Sequence, residues 1–354
     1  MAIDLIKVLL PAVVSFWVGI ILAPLLTHYL YAYKVWKKAP GKTALDGAKA
    51  IEFEKLRSGT ETKTPRMGGI LVWASVLATV AASYILARIF PGTVLANLDF
   101  LSRSQTWVPL STLILGSLVG FINDVLDVID SDGERGIPLR VRLLFVSILS
   151  LLVGLWFFIK LDVVTITIPL LPDLYLGWGI VPFFIFVSLC LYASGVIDGI
   201  DGLSGGVFAS IFGAYAFIAF NQNQLDLAAL SATVVGALLA FLWFNVPPAR
   251  FWMTETGTMG LTLMLASIAF MTDSLGEGRG VSALPIIAFL LVATVASNVI
   301  QILSKKFLKR KVFKIAPLHH HFEAIGWPGY KVTMRYWILS LIFAILGVAY
   351  ALVR

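Results

Sequence analysis

Asp198 and Asp201 stand three residues apart in Asp198-Gly199-Ile200-Asp201-Gly202-Leu203, among glycines and at the end of a long apolar run. Ionised carboxylates at a membrane boundary are costly and need a partner. A divalent cation, or a substrate that brings one, is the natural candidate, because hard cations take oxygen ligands. On a helix the two acids would share a face at i, i+3, and the glycines would let a ligand approach the backbone. The plainer reading is a pair of helix N-caps.

Four other clusters carry comparable chemistry. In Lys63-Thr64-Pro65-Arg66-Met67-Gly68-Gly69, Lys63 and Arg66 precede a helix start and could hold a diphosphate. Asn123-Asp124-Val125-Leu126-Asp127 brings acids close to the membrane, where an ionisable group is a functional candidate. The run from Phe244-Asn245 to Thr254-Glu255-Thr256-Gly257 contains a single acid, Glu255, and offers the Trp252 ring to a base. Trp252 equally suits an interfacial aromatic belt. Three of the four histidines are consecutive, His319-His320-His321. Three successive side chains cannot share one helix face, and the spacing is wrong for structural zinc. They read as phosphate donors or proton carriers near neutral pH.

The elements that must position these groups are membrane helices. The chain has 354 residues, 59% hydrophobic and 13% charged, against about 25% charged in soluble domains. Apolar stretches long enough to span a bilayer recur throughout. The fold class is an all-α polytopic membrane protein, one domain over 1–354 with about ten transmembrane helices and a short external β-hairpin. The expected spans are 9–33, 68–90, 107–123, 141–160, 179–197, 203–221, 227–245, 258–272, 283–304 and 335–353. Residues 162–178, alternating and β-branched, read as the hairpin. Cys190, the one cysteine, reads as an inert buried thiol.

With both termini external, the cytoplasmic loops fall at about 34–67, 124–142, 198–202, 246–257 and 305–335, and 21 of the 27 Lys and Arg lie in them. That bias sets the orientation and brings every cluster above to the cytoplasmic face. The basic and apolar segment 305–315 reads as lying at the inner headgroup layer, or as a positive-inside anchor. The net charge of +7 suits membrane lipid and a phosphate-bearing substrate; with no soluble basic domain, it gives no reason to expect nucleic acid.

At these five loops the chain resembles the phospho-N-acetylmuramoyl-pentapeptide transferases, a branch of the polyprenyl-phosphate N-acetylhexosamine-1-phosphate transferases. The resemblance rests on Ala316-Pro317-Leu318-His319-His320-His321-Phe322-Glu323 with Gly326-Trp327-Pro328, on Phe244-Asn245 with Pro248-Ala249, on the Asp198–Leu203 motif, and on Pro65-Arg66-Met67-Gly68-Gly69. It implies that undecaprenyl phosphate attacks the β-phosphate of UDP-MurNAc-pentapeptide, giving lipid I and UMP with Mg2+. It further implies a bacterial inner-membrane location and a homodimer. By the same resemblance, Asn123, Asp124, Asp198, His319, His320 and His321 occupy catalytic positions. Lys63, Gly195, Asp201, Asn245 and Trp252 occupy substrate-side positions, and Glu255 with Asp198 the metal side. Strict spacing puts Glu61, rather than Lys63, at the family's nucleotide-side lysine.

The departures fall on charge-bearing positions. Asn123 stands for an Asp, Asp127 for a Lys, Gly195 for an Asn, and Thr254-Glu255-Thr256-Gly257 for Gly-Asp-Thr-Gly. An amide is no base, and Mg2+ demands short, near-octahedral bonds. Three readings follow: an active variant transferase, with Asp127 and Glu255 compensating; a divergent or inactive relative that binds nucleotide-sugar or lipid phosphate; and a transferase for another UDP-HexNAc. A transporter would carry its charges at the membrane midplane instead.

Overall fold

The computed structural model describes residues 2–38, 62–129, 136–274 and 278–353. Glu61 and parts of the first two expected loops lie outside them. The helices are α1 (Ala2–Ala32), α2 (Gly69–Ile89), α3 (Trp107–Ile129), α4 (Leu139–Lys160), α5 (Ile180–Ser194), α6 (Leu203–Asn221), α7 (Leu225–Asn245), α8 (Thr254–Ser274), α9 (Gly280–Ile287), α10 (Phe289–Leu308), α11 (Leu318–Ala324) and α12 (Gly329–Leu352). Between α4 and α5, β1 (Thr165–Ile166) pairs antiparallel with β2 (Leu174–Tyr175), with Thr165 opposite Tyr175. Nine helices among the described residues are long and apolar enough to cross a bilayer. The chain is a multi-pass, all-α membrane protein, and its small sheet is the expected hairpin.

Two spans differ from the hydropathy reading. The eighth, α8, is the core of the bundle: every residue from 256 to 273 is buried. A helix shielded from lipid by other helices can carry Thr256, Thr258, Thr262, Ser267 and Thr272, whose hydroxyls a lipid-facing helix would expose to hydrocarbon. Those of Thr262 and Thr272 donate back to the Thr258 and Ile268 carbonyls at 2.8 and 3.0 Å. The ninth is not one helix. Pro285 lies in α9, and Ala288 leaves helical geometry at φ −98°, ψ 28° before α10 begins. Proline removes an N–H and crowds the preceding turn, so Pro285 weakens the short helix that ends at this break.

Close packing fixes α8 against its neighbours. A Cβ on Gly116 of α3 would lie 2.8 Å from Gly260 Cα, and one on Gly120 would fall on the Glu255 carbonyl. Small residues four apart let two membrane helices touch backbone to backbone. At one end of α8, Asp273 accepts from Thr167 N at 3.3 Å and Val281 N at 3.0 Å, tying in the hairpin and the start of α9. At the other end, 65–69 runs beside 252–253: Trp252 N donates to Pro65 O (2.9 Å), Gly68 N to Trp252 O (2.7 Å) and Gly69 N to Met253 O (3.1 Å). Cys190 is exposed on the outside of α5, not buried as expected; an apolar run facing lipid hides nothing from the bundle surface.

Candidate active site

Thr254 opens α8 and joins two of the acid clusters. Its N–H donates to Asp198 Oδ2 at 2.7 Å, and its hydroxyl donates to Asp124 Oδ2 at 2.5 Å. Asp124 is fully buried and also accepts from Thr256 N (2.8 Å) and Thr256 Oγ1 (2.6 Å). It therefore serves the first turn of α8, where unpaired N–H groups favour an anion. Its other oxygen meets Arg66 Nη2 at 3.3 Å. Arg66 Nη1 lies 2.8 Å from Asp127, which Lys37 Nζ approaches to 3.9 Å. Arg66 is thus turned to the α3 acids rather than held free for a diphosphate. Two cations and two acids make this group neutral.

Asp198 and Asp201 do not share a helix face. Residues 195–197 form a single 3-10 turn, and 198–202 continue as non-helical turn to Gly202, at φ +76°. The two side chains therefore diverge. Asp198 Oδ1 accepts from Ser204 Oγ at 2.6 Å. Asp201 accepts from the Trp252 indole N–H at 2.9 Å and from Ala249 N at 3.1 Å. Asn245, almost wholly buried, accepts from Gly202 N at 2.9 Å and donates to Phe251 O at 2.8 Å. α12 closes this side: Thr333 Oγ1 donates to Asp201 O at 3.0 Å and Trp337 Nε1 to Gly202 O at 2.9 Å.

The histidines reach the same loop. A Cβ on Gly199 would lie 2.5 Å from His319 Nε2 and 2.7 Å from His320 Nε2, so only glycine admits both rings beside Asp198. The other ring nitrogen of His320 is 2.7 Å from Glu323, which orients the imidazole. His321 points elsewhere, its Nδ1 accepting from Lys314 N at 3.1 Å. Three loops distant in sequence therefore converge on Asp198, Asp201, Trp252, His319 and His320, with Asp124 beneath Thr254.

The remaining expected residues lie at the margin. Lys63 is exposed. Asn123 Oδ1 accepts from Ile137 N at 2.9 Å, anchoring the chain ahead of α4. Gly195 faces Thr258, whose hydroxyl would sit 3.3 Å from an added Cβ. Glu255, in the first turn of α8, pairs through Oε1 with Arg142 Nη1. Its Oε2 is buried with no hydrogen-bond partner among the described residues, which suits a cation. Among the described residues no three His, Cys, Asp or Glu side chains cluster as a metal cage. Mg2+ commonly binds through one or two carboxylates and substrate phosphates, so Glu255 fits it only in company with substrate phosphate.

Arg66 as an acid clamp, Arg142, Thr254, Ser204 and Glu323 were not legible as site partners. Most of these contacts join loops that sequence spacing does not relate. Two signals were available: Glu323 is i, i+3 from His320 on α11, and Arg142 is a cation in the first turn of α4, where the helix dipole disfavours it.

A model of glycosyl transferase family 4 matches residues 106–273. Over nearly their whole length, curated relatives named phospho-N-acetylmuramoyl-pentapeptide-transferase are similar to this chain. That of Geobacillus sp. (strain WCH70) is 31% identical over 96% of each chain. That of Geobacillus thermodenitrificans (strain NG80-2) is 32% identical over 95% of each. That of Bacillus subtilis (strain 168) is 30% identical over 96% of this chain and 97% of its own.

Proposed function

Since the chain belongs to the phospho-N-acetylmuramoyl-pentapeptide transferases, we propose that it moves phospho-MurNAc-pentapeptide from UDP to undecaprenyl phosphate in peptidoglycan synthesis. An oxygen of the lipid phosphate attacks the β-phosphorus of UDP-MurNAc-pentapeptide. The bond from that phosphorus to the bridging oxygen breaks, UMP leaves with the electron pair, and lipid I is formed. A phosphate monoester is largely ionised near pH 7, its second pKa being about 6. The nucleophile therefore needs little help from a protein base, and Asn123 in place of an acid is compatible with turnover.

What the protein must supply is positioning and charge neutralisation. The observation that carries this reading is the convergence at Gly199. There, the His319 and His320 rings meet the loop whose Asp198 holds the start of α8. In this reading the imidazoles donate to substrate phosphate oxygens. Asp201 fixes the Trp252 ring, which would stack on the uracil, and Asn245 welds the two loops that frame it. Mg2+, bound by Glu255 and Asp198 with the diphosphate, would neutralise charge developing on the leaving phosphate.

The polar end of the bundle faces the cytoplasm in this reading, with both termini external in a bacterial inner membrane, and the protein works as a homodimer. The test is transfer of label from UDP-MurNAc-pentapeptide or from UDP-GlcNAc into a lipid-soluble product by the purified protein. The muramoyl substrate should be used and UDP-GlcNAc should not. Transfer from UDP-GlcNAc alone would replace this reading with a different sugar specificity.

A further inference from the structure

Arg142 and Glu255 are each in the first turn of a helix. An acid is favoured there and a cation is not, so Glu255 is well placed and Arg142 is held against its own helix dipole. Their ion pair supplies what holds it, with side-chain exposures of only 19% and 26%. The pair leaves two buried polar atoms with no hydrogen-bond partner among the described residues, Glu255 Oε2 and Arg142 Nε. The carboxylate is therefore half engaged: one oxygen on a guanidinium, the other buried and unpaired.

We infer that Arg142 is a resident counter-cation of Glu255 that weakens divalent-metal binding at this carboxylate and so sets the site's metal requirement. This rests on the reading of Glu255 as the metal-side acid. A guanidinium cannot lose its proton to relieve the conflict. A divalent ion on Oε2 would sit within a few ångströms of that charge, and like charges at this range repel strongly in a partly desolvated site. Arg142 also orients the carboxylate, but that gain is smaller than the repulsion of a double charge. Its removal therefore tightens metal binding.

The experiment uses the purified full chain with UMP present and Mn2+ as the probe, free Mn2+ being read by electron paramagnetic resonance. Arg142→Gln and Arg142→Met, the second keeping the apolar stem, are each expected to bind Mn2+ about tenfold more tightly than the unmodified chain. Arg142→Lys, which keeps a cation, should stay weak. Adding Glu255→Gln to either neutral variant should abolish the gain. The inference is overturned if neither neutral variant binds more tightly, or if the gain survives without Glu255. No turnover is involved, so a chain inactive as a transferase would still give the same ordering.

Discussion

Arg66 reaches two acids of α3 at once, and the charge pattern makes sense only when both are counted. Asp127 stands where the resembled family carries a cation, yet Arg66 Nη1 is 2.8 Å from it and Nη2 is 3.3 Å from Asp124. The positive charge beside Asp124 comes from Arg66, on the 65–69 segment. Removing one partner of a buried pair costs about 3–5 kcal/mol. Asp127→Lys alone should therefore lower thermal stability in detergent, by crowding Arg66, Lys37 and a new lysine. Arg66→Thr alone should do so by removing the cation that Asp124 and Asp127 share. The double variant should recover most of the loss, because a lysine at 127 is i, i+3 from Asp124 on α3. Additive losses would mean that a lysine at 127 does not stand in for Arg66.

Thr254 gives a sharper test. It sits at φ +54°, a left-handed conformation that costs a non-glycine residue about 1–2 kcal/mol. Its hydroxyl also donates to Asp124 and accepts from Met67 N at 3.1 Å; a bond to a charged group is worth about 1.5–3 kcal/mol. Thr254→Gly loses the hydroxyl but also the strain, whereas Thr254→Ala loses the hydroxyl and keeps the strain. Melting temperatures should fall in the order Thr, Gly, Ala, and an alanine variant as stable as the glycine one would refute the strain argument. The identities of Asp198, Asp201, Trp252 and the histidines were legible from residue type. Their wiring was not. Asp198 and Asp201 were expected on one helix face because i, i+3 spacing says nothing of a chain that turns at Gly202. Thr254 carries no chemistry of its own that would mark it.

At the level of elements, hydropathy located nearly every helix because each lipid-facing surface must be apolar. It was blind to two things: which helix is central, and where one is broken. α8 looks weaker as a span because it is shielded from lipid, and Pro285 gave the only hint of the α9–α10 break. The α3–α8 contact depends on Gly120, whose added Cβ would meet the Glu255 carbonyl. Gly120→Ala should separate the two helices and displace Asp124 from Thr254 and Thr256. The expected destabilisation is about 1–3 kcal/mol, as for overpacking elsewhere, with a larger loss of turnover than of stability. A variant with full activity would show that the acids do not need this spacing.

For the molecule as a whole, the asymmetry of charge predicts how it sits. In a Cys190→Ser background, Leu171→Cys in the β1–β2 turn should react with an impermeant maleimide from outside intact cells. Lys311→Cys, beyond α10, should react only after the membrane is opened. The reverse pattern would invert the proposed orientation. The departures at Asn123 and Glu255 also change meaning at this scale, since each is tied into the fold. Asn123 anchors Ile137 and Glu255 engages Arg142. Restoring an acid at 123 would set a second charge beside buried Asp124, and shortening Glu255 would pull it from Arg142.

The most direct measurement is UMP release by the purified full-length protein with undecaprenyl phosphate, UDP-MurNAc-pentapeptide and Mg2+, beside an Asn123→Asp, Glu255→Asp double variant. The account predicts turnover by the unmodified chain and no gain, or a loss, in the variant. A silent unmodified chain whose variant gains activity would contradict it.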